Sequence, residues 1–205
     1  MKTRNLFILF IFGGASISLF YIFKGNETAQ LYAGAINKER NDKDNFMRQG
    51  ESSPFAGKQG QFKNLNYFPP NLKYRIQATL HNVPKKELIT LTTNDGGTQS
   101  YITYAWAEFD LDNLHHKLLI LEVLEESKDR GSLFLAFADE TSGFDTYGAG
   151  RYLDIKKVPG AGTIMLDFNN AYNPYCAYSD NFTCPFPPTE NILKATIKAG
   201  EKVYK

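Results

Sequence analysis

The side chains able to do chemistry are concentrated in the C-terminal third of the chain. Asp139, Thr141, Tyr147 and Arg151 fall in one short stretch, and Asp167, Asn169, Asn173 and Asn191 in a second that also holds Cys176 and Cys184. Carboxylates near an arginine suit either a buried ion pair or a site for a small polar or anionic ligand. The same groups also permit hydrolase-like chemistry, with Asp139 or Asp167 as acid/base and Arg151 stabilising negative charge. Asn, Tyr and Arg outnumber nucleophiles here, so binding is favoured over catalysis, with a purely structural envelope protein as the third reading. A phosphate-cradling Gly-rich loop, a His-Glu-x-x-His pair and a Gly-x-Ser-x-Gly elbow are all absent. The three histidines, His81, His115 and His116, sit at a strand end or beside a turn and read as solvated or capping groups. No metal is expected, and these residues name no cofactor.

Alternation decides what faces what. Leu133, Leu135, Phe137 and Asp139 share one face of a strand. If residues 147–155 form another, Tyr147, Ala149, Arg151, Leu153 and Ile155 share a face, and the two apolar members make it the core face. Asp139 and Arg151 then both point inward, where a charge must be paired. They are expected partners, either as an ion pair closing one end of a barrel or with Arg151 turned to an anion. Gly148 and Gly150 allow close approach of backbone or ligand.

The strands that carry these residues follow from the same period of two. Tyr74 to Leu80 alternates, Ile89 and Leu91 mark a second strand, and Asn94-Asp95-Gly96-Gly97 is a strong turn. Residues 99–111 read as a long strand, with Tyr101, Ala105, Ala107 and Phe109 on one face and Ile102, Tyr104 and Trp106 on the other. Residues 118–124 and 133–138 are apolar on both faces and read as central strands; 164–168 and 193–199 supply later ones. The expected fold is mainly β, an antiparallel β-barrel or sandwich, preceded by a transmembrane helix and a short amphipathic helix.

Three segments precede or make up that domain. Residues 1–24 are expected to be a membrane anchor, or a cleaved signal peptide, because residues 6–23 carry no charge behind a basic head with Lys2 and Arg4. The positive-inside bias leaves the rest of the chain outside the cytoplasm, on the periplasmic or envelope side. Residues 25–54 read as linker and helix, the helix spanning Ala29 to Gln49 with Lys38-Glu39-Arg40 and Asp42-Lys43-Asp44 on a solvated face. Residues 55–205 form a single β-rich domain. Over the 205 residues, 23 Lys and Arg nearly balance 22 Asp and Glu, for a net charge of +1. That balance excludes a nucleic-acid binder of the basic-patch kind, and the 14% aromatic content excludes a disordered polymer.

One stretch is more specific than any of this. It runs Asp167-Phe168-Asn169-x-Ala171-x-Asn173-Pro174-x-Cys176-Ala177, then Cys184-Pro185-x-Pro187-Pro188-x-Glu190-Asn191-x-Leu193. Together with Asp139-x-Thr141-Ser142-Gly143-x-x-Thr146-Tyr147 and Ala199-Gly200-Glu201-Lys202, it resembles the signature of domain-of-unknown-function family 1684, from about residue 32 onward. The resemblance implies relatives among uncharacterised bacterial and archaeal proteins and supplies no reaction. The two cysteines allow three readings. On an oxidising side they would most simply form a disulfide; a metal site lacks further ligands; free or redox-active thiols are the third.

Overall fold

The structure is a computed structural model that describes residues 28–124 and 132–204. Helix α1 spans 28–49. Seven strands follow: β1 (Arg75–Asn82), β2 (Leu88–Thr92), β3 (Thr98–Leu111), β4 (Leu114–Val123), β5 (Leu133–Phe137), β6 (Arg151–Ile155) and β7 (Thr163–Asp167). The expected membrane segment 6–23 lies outside the described residues. No helix among those described is long and apolar enough to cross a membrane.

All seven strands join one antiparallel sheet in the order β6-β5-β4-β3-β1-β7, with β2 also paired to β3. The sheet curls into an open half-barrel rather than closing as a barrel or splitting into a sandwich. Two apolar clusters explain why β4, β5 and β6 are buried on both faces. Leu118, Ile120, Leu135, Leu153 and Phe168 pack on the concave side, while Leu119, Leu121, Phe134, Ala136 and Tyr152 pack on the other.

Strand β3 departs from simple alternation in an instructive way. Its partner register with β4 shifts between Thr103, opposite Leu121, and Ala105, opposite Ile120. That bulge inserts one residue and exchanges the faces of the strand on either side of it. Tyr101 therefore packs with Leu119 and Leu121, whereas Ala107 and Phe109 pack with Leu118 and Ile120. The expectation that Tyr101 shares a face with Ala105 fails for this reason.

Two expected strands are also corrected. Residues 147–150 form a turn ending at Gly150, whose φ of +89° and whose missing Cβ let it lie against the Phe137 carbonyl; only Arg151 onward is strand. Residues 193–199 alternate buried and exposed like a strand yet join no ladder. Backbone bonds from the Leu193 amide to the Ala138 carbonyl and from the Glu140 amide to the Ala195 carbonyl hold the start of this segment, and an arginine side chain holds the rest, as described below. His116 is buried against the Phe109 ring at 5.5 Å rather than solvated.

The helix is attached by polar groups. Tyr32, Ile36, Arg40, Lys43 and Met47 recur at intervals of four, four, three and four, one stripe on an α-helix. Ile36 and Met47 are buried, Met47 among Phe55, Phe62, Leu65 and Tyr178. Arg40 and Lys43, expected on a solvated face, turn toward the sheet.

Candidate functional site

Asp139 and Arg151 meet as alternation requires. Arg151 Nη2 lies 2.6 Å from Asp139 Oδ2, both side chains within 1% of full burial. Asp139 Oδ1 accepts from the Thr141 amide at 2.6 Å and the Thr141 hydroxyl at 2.5 Å, and that hydroxyl lies 2.9 Å from Thr146 Oγ1. The guanidinium also donates to the carbonyls of Ile197 at 3.0 Å and Glu201 at 3.3 Å, and to that of Ala199. Burial pulls the Arg151 guanidinium down from its ordinary value, and the Asp139 charge and hydrogen bond oppose that. Arg151 is thus an arginine clip that takes the place of ladder hydrogen bonds along the 197–201 tail. Asp139 has no exposed carboxylate surface, so a substrate proton is out of its reach.

The asparagines of the signature act in the same manner. Asn191 Oδ1 accepts from the Leu119 amide at 2.7 Å, and its Nδ2 donates to the carbonyls of Leu119 at 2.9 Å and Ala136 at 2.8 Å. Strands β4 and β5 pair only at Leu121–Phe134 and Glu122–Leu133. Extending that register would place Leu119 opposite Ala136, and the Asn191 amide wedges between them. Asn169 locks the 71 loop through the Asn71 amide at 2.8 Å and carbonyl at 2.9 Å. Asp167 accepts from the Asn169 amide at 3.1 Å and from Tyr32 of the helix at 2.8 Å. Asn173 donates its amide to Glu201 at 2.8 Å and its Nδ2 to the Lys202 carbonyl at 2.9 Å. Tyr147 lies apart from these, its hydroxyl 3.9 Å from Cys176 Sγ.

Cys176 and Cys184 are brought together, but as two thiols rather than the expected disulfide. The Cys184 sulfur serves as acceptor for the Cys176 amide at 3.2 Å.

The candidate ligand-binding residues therefore do not line one shared site. The open feature is a cleft of about 270 Å³ between α1 and the 169–172 turn. Of the candidate ligand-binding residues, Asn169 alone borders it; Arg40, Lys43, Tyr67, Asp154, Tyr172 and Glu201 supply most of the rest. Glu201, 1% exposed, accepts from Asn173 and Tyr178 and pairs with Lys43 at 2.6 Å. Arg40 donates to the carbonyls of Phe68 at 2.9 Å and Asn169 at 3.1 Å, and lies 4.5 Å over the Tyr67 ring. Its Nε is buried without a partner. Desolvation pulls Arg40 below its usual value, countered by Tyr67, Tyr32 and the Glu201 and Asp167 carboxylates. Lys43, Asp154 and Tyr172 also border a larger groove of about 780 Å³, lined by Tyr101, Phe134, Tyr152, Tyr175 and Phe182. Sequence reasoning missed Arg40, Lys43 and Glu201. The signal was the 32-36-40-43-47 stripe, in which cations occupy positions between buried apolar ones. Among the described residues no group of His, Cys, Asp and Glu is placed to hold a metal ion.

No curated protein matches this chain. A solution NMR structure of an uncharacterized protein from Haloarcula marismortui is similar to it at 35% sequence identity with a TM-score of 0.65, over 86% of this chain and 97% of that one. The family model described as "Protein of unknown function (DUF1684)" matches residues 60–202. With the arginine clip and the asparagine wedge both inside the matched region, the chain belongs to the DUF1684 family.

Proposed function

We propose that this domain is a binding module for a small polar ligand, seated in the cleft between α1 and the 169–172 turn. The observation that carries the reading is Arg40, which borders that cleft while its Nε is a buried donor with no partner. A buried polar group left unpaired costs roughly 1–3 kcal/mol, so a ligand acceptor that the Arg40 side chain turns to meet recovers that cost. Lys43, paired with Glu201, and Asp154, which accepts from the Tyr172 hydroxyl at 2.8 Å, put a charge of each sign beside it. The ligand is then a small molecule with an acceptor for Arg40, and the continuous aromatic groove accommodates an apolar extension. The role first expected for Arg151, holding a polar or anionic group, passes to Arg40. The charge-free run 6–23 supports a setting in which the module is anchored at the outer face of the cytoplasmic membrane.

Native mass spectrometry of the full chain, purified without denaturation, tests the binding claim. A stoichiometric low-mass adduct is expected on the wild-type chain and on Thr141→Ser, and is expected to be lost in Arg40→Lys, which keeps the charge but removes Nε. An adduct that survives Arg40→Lys unchanged, or no adduct on any form, would remove the reading. For location, a reporter active only outside the cytoplasm, fused after Lys205, should be active.

A further inference from the structure

We propose that Cys176 and Cys184 form a thiol–disulfide exchange site for low-molecular-weight disulfides, with Cys176 the attacking thiol and Cys184 the resolving one. The proposal does not depend on the Arg40 cleft. Its first support is proximity. The Cys176 amide lies 3.2 Å from Cys184 Sγ, so the two cysteines are immediate neighbours in space. The second is asymmetry of access: Cys176 is partly exposed, whereas Cys184 is 7% exposed within the apolar cluster. By exposure Cys176 is the thiol an incoming disulfide meets first, while it is Cys184 that borders the aromatic groove.

The third support is how each thiol is held. Cys184 is pinned to the β2–β3 turn, its amide donating to Asn94 Oδ1 at 2.6 Å and its carbonyl accepting from the Asn94 amide at 3.1 Å. Cys176 sits in a separate 3-10 turn that follows Pro174. A bond between them would tie two independently anchored points. Around Cys176, the Cys184 thiol donates a hydrogen bond that favours the thiolate; burial opposes it and the Tyr147 hydroxyl adds to it, leaving the thiol lowered to about 7. A thiol ionising near ambient pH is the effective attacker in exchange. Cys184 is pushed the other way, by the same pairing and by burial.

The chemistry balances as an exchange. The Cys176 thiolate attacks one sulfur of a small disulfide, forming a mixed disulfide and expelling one thiolate, which takes up a proton. Cys184 then loses its proton and attacks Cys176 Sγ, forming the Cys176–Cys184 bond and expelling the second small thiol. The protein dithiol is oxidised by two electrons and the small disulfide is reduced to two thiols. Because Phe182, Thr183 and Cys184 border the aromatic groove, the oxidation state of the pair sets one wall of it.

The test uses the full chain, reduced, freed of reductant and exposed to oxidised glutathione, with intact mass followed over time. The wild-type chain should end two hydrogens lighter with no lasting adduct. Cys184→Ser should accumulate one glutathione, and Cys176→Ser should take up none on the same timescale. A wild-type chain that stays a dithiol, or that keeps its glutathione, would overturn the proposal. So would Cys176→Ser reacting at the wild-type rate. The wild-type result stands without the variants, so a variant that fails to fold leaves the proposal testable.

Discussion

At the scale of single residues, the buried charges hold backbone rather than perform chemistry. Arg151 serves one carboxylate and the carbonyls of Ile197, Ala199 and Glu201, so its removal strands all of them. Arg151→Met should cost about 3–5 kcal/mol in equilibrium urea unfolding. Adding Asp139→Asn should recover only part of that loss, because the tail carbonyls remain unpaired. Full recovery in the double variant would mean that the ion pair alone matters. The pairing itself was legible from alternation, since Leu135 and Leu153 fix the inward face of each strand. The carbonyls were not, because a sequence does not show that an alternating 193–199 segment will be held by a side chain. Arg40 was hidden for a related reason. A cation between Lys38, Glu39 and Asp42 looks like part of a mixed-charge surface until the helix is docked.

At the scale of elements, side-chain amides substitute for missing ladder bonds. The Asn191 wedge takes the positions that Leu119 and Ala136 would otherwise fill for each other. Asn191→Ala leaves buried backbone groups on both strands unpaired, each worth roughly 1–3 kcal/mol. A loss of at least about 3 kcal/mol is expected, with hydrogen-exchange protection of the Leu119 amide falling more than that of the Leu121 amide. Equal loss at both amides would indicate global destabilisation without a local wedge. The strands themselves were readable because their apolar period is two. The β3 bulge was not, since Tyr101 and Ala105 have the same parity in the sequence and only the register against β4 separates them.

For the whole molecule, tyrosine burial sets the alkaline limit of the fold. Tyr32, Tyr67, Tyr152, Tyr172, Tyr175 and Tyr178 are all raised above the ordinary 10.0, chiefly by desolvation, and Tyr147 is raised to about 12. The folded state keeps these protons while the unfolded chain gives them up above pH about 10. Protons are then bound more by the folded state, so stability falls as pH rises past that point and through the folded values. The share of tyrosinate absorbance from these seven rings should rise in a cooperative step, coincident with loss of circular dichroism. A gradual rise near the ordinary value with the fold intact would contradict the burial of these rings.

On helix α1, Arg40 is met by Tyr67, Phe68 and Asn169 and lies in the field of Glu201 from the C-terminal tail. Diffraction from crystals of the full chain, purified without denaturation, tests the binding assignment most directly. Ordered non-protein density should occupy the cleft, with an acceptor atom within hydrogen-bonding distance of Arg40 Nε. Density showing Nε bonded to a group of the chain itself, with the cleft holding only solvent, would contradict it.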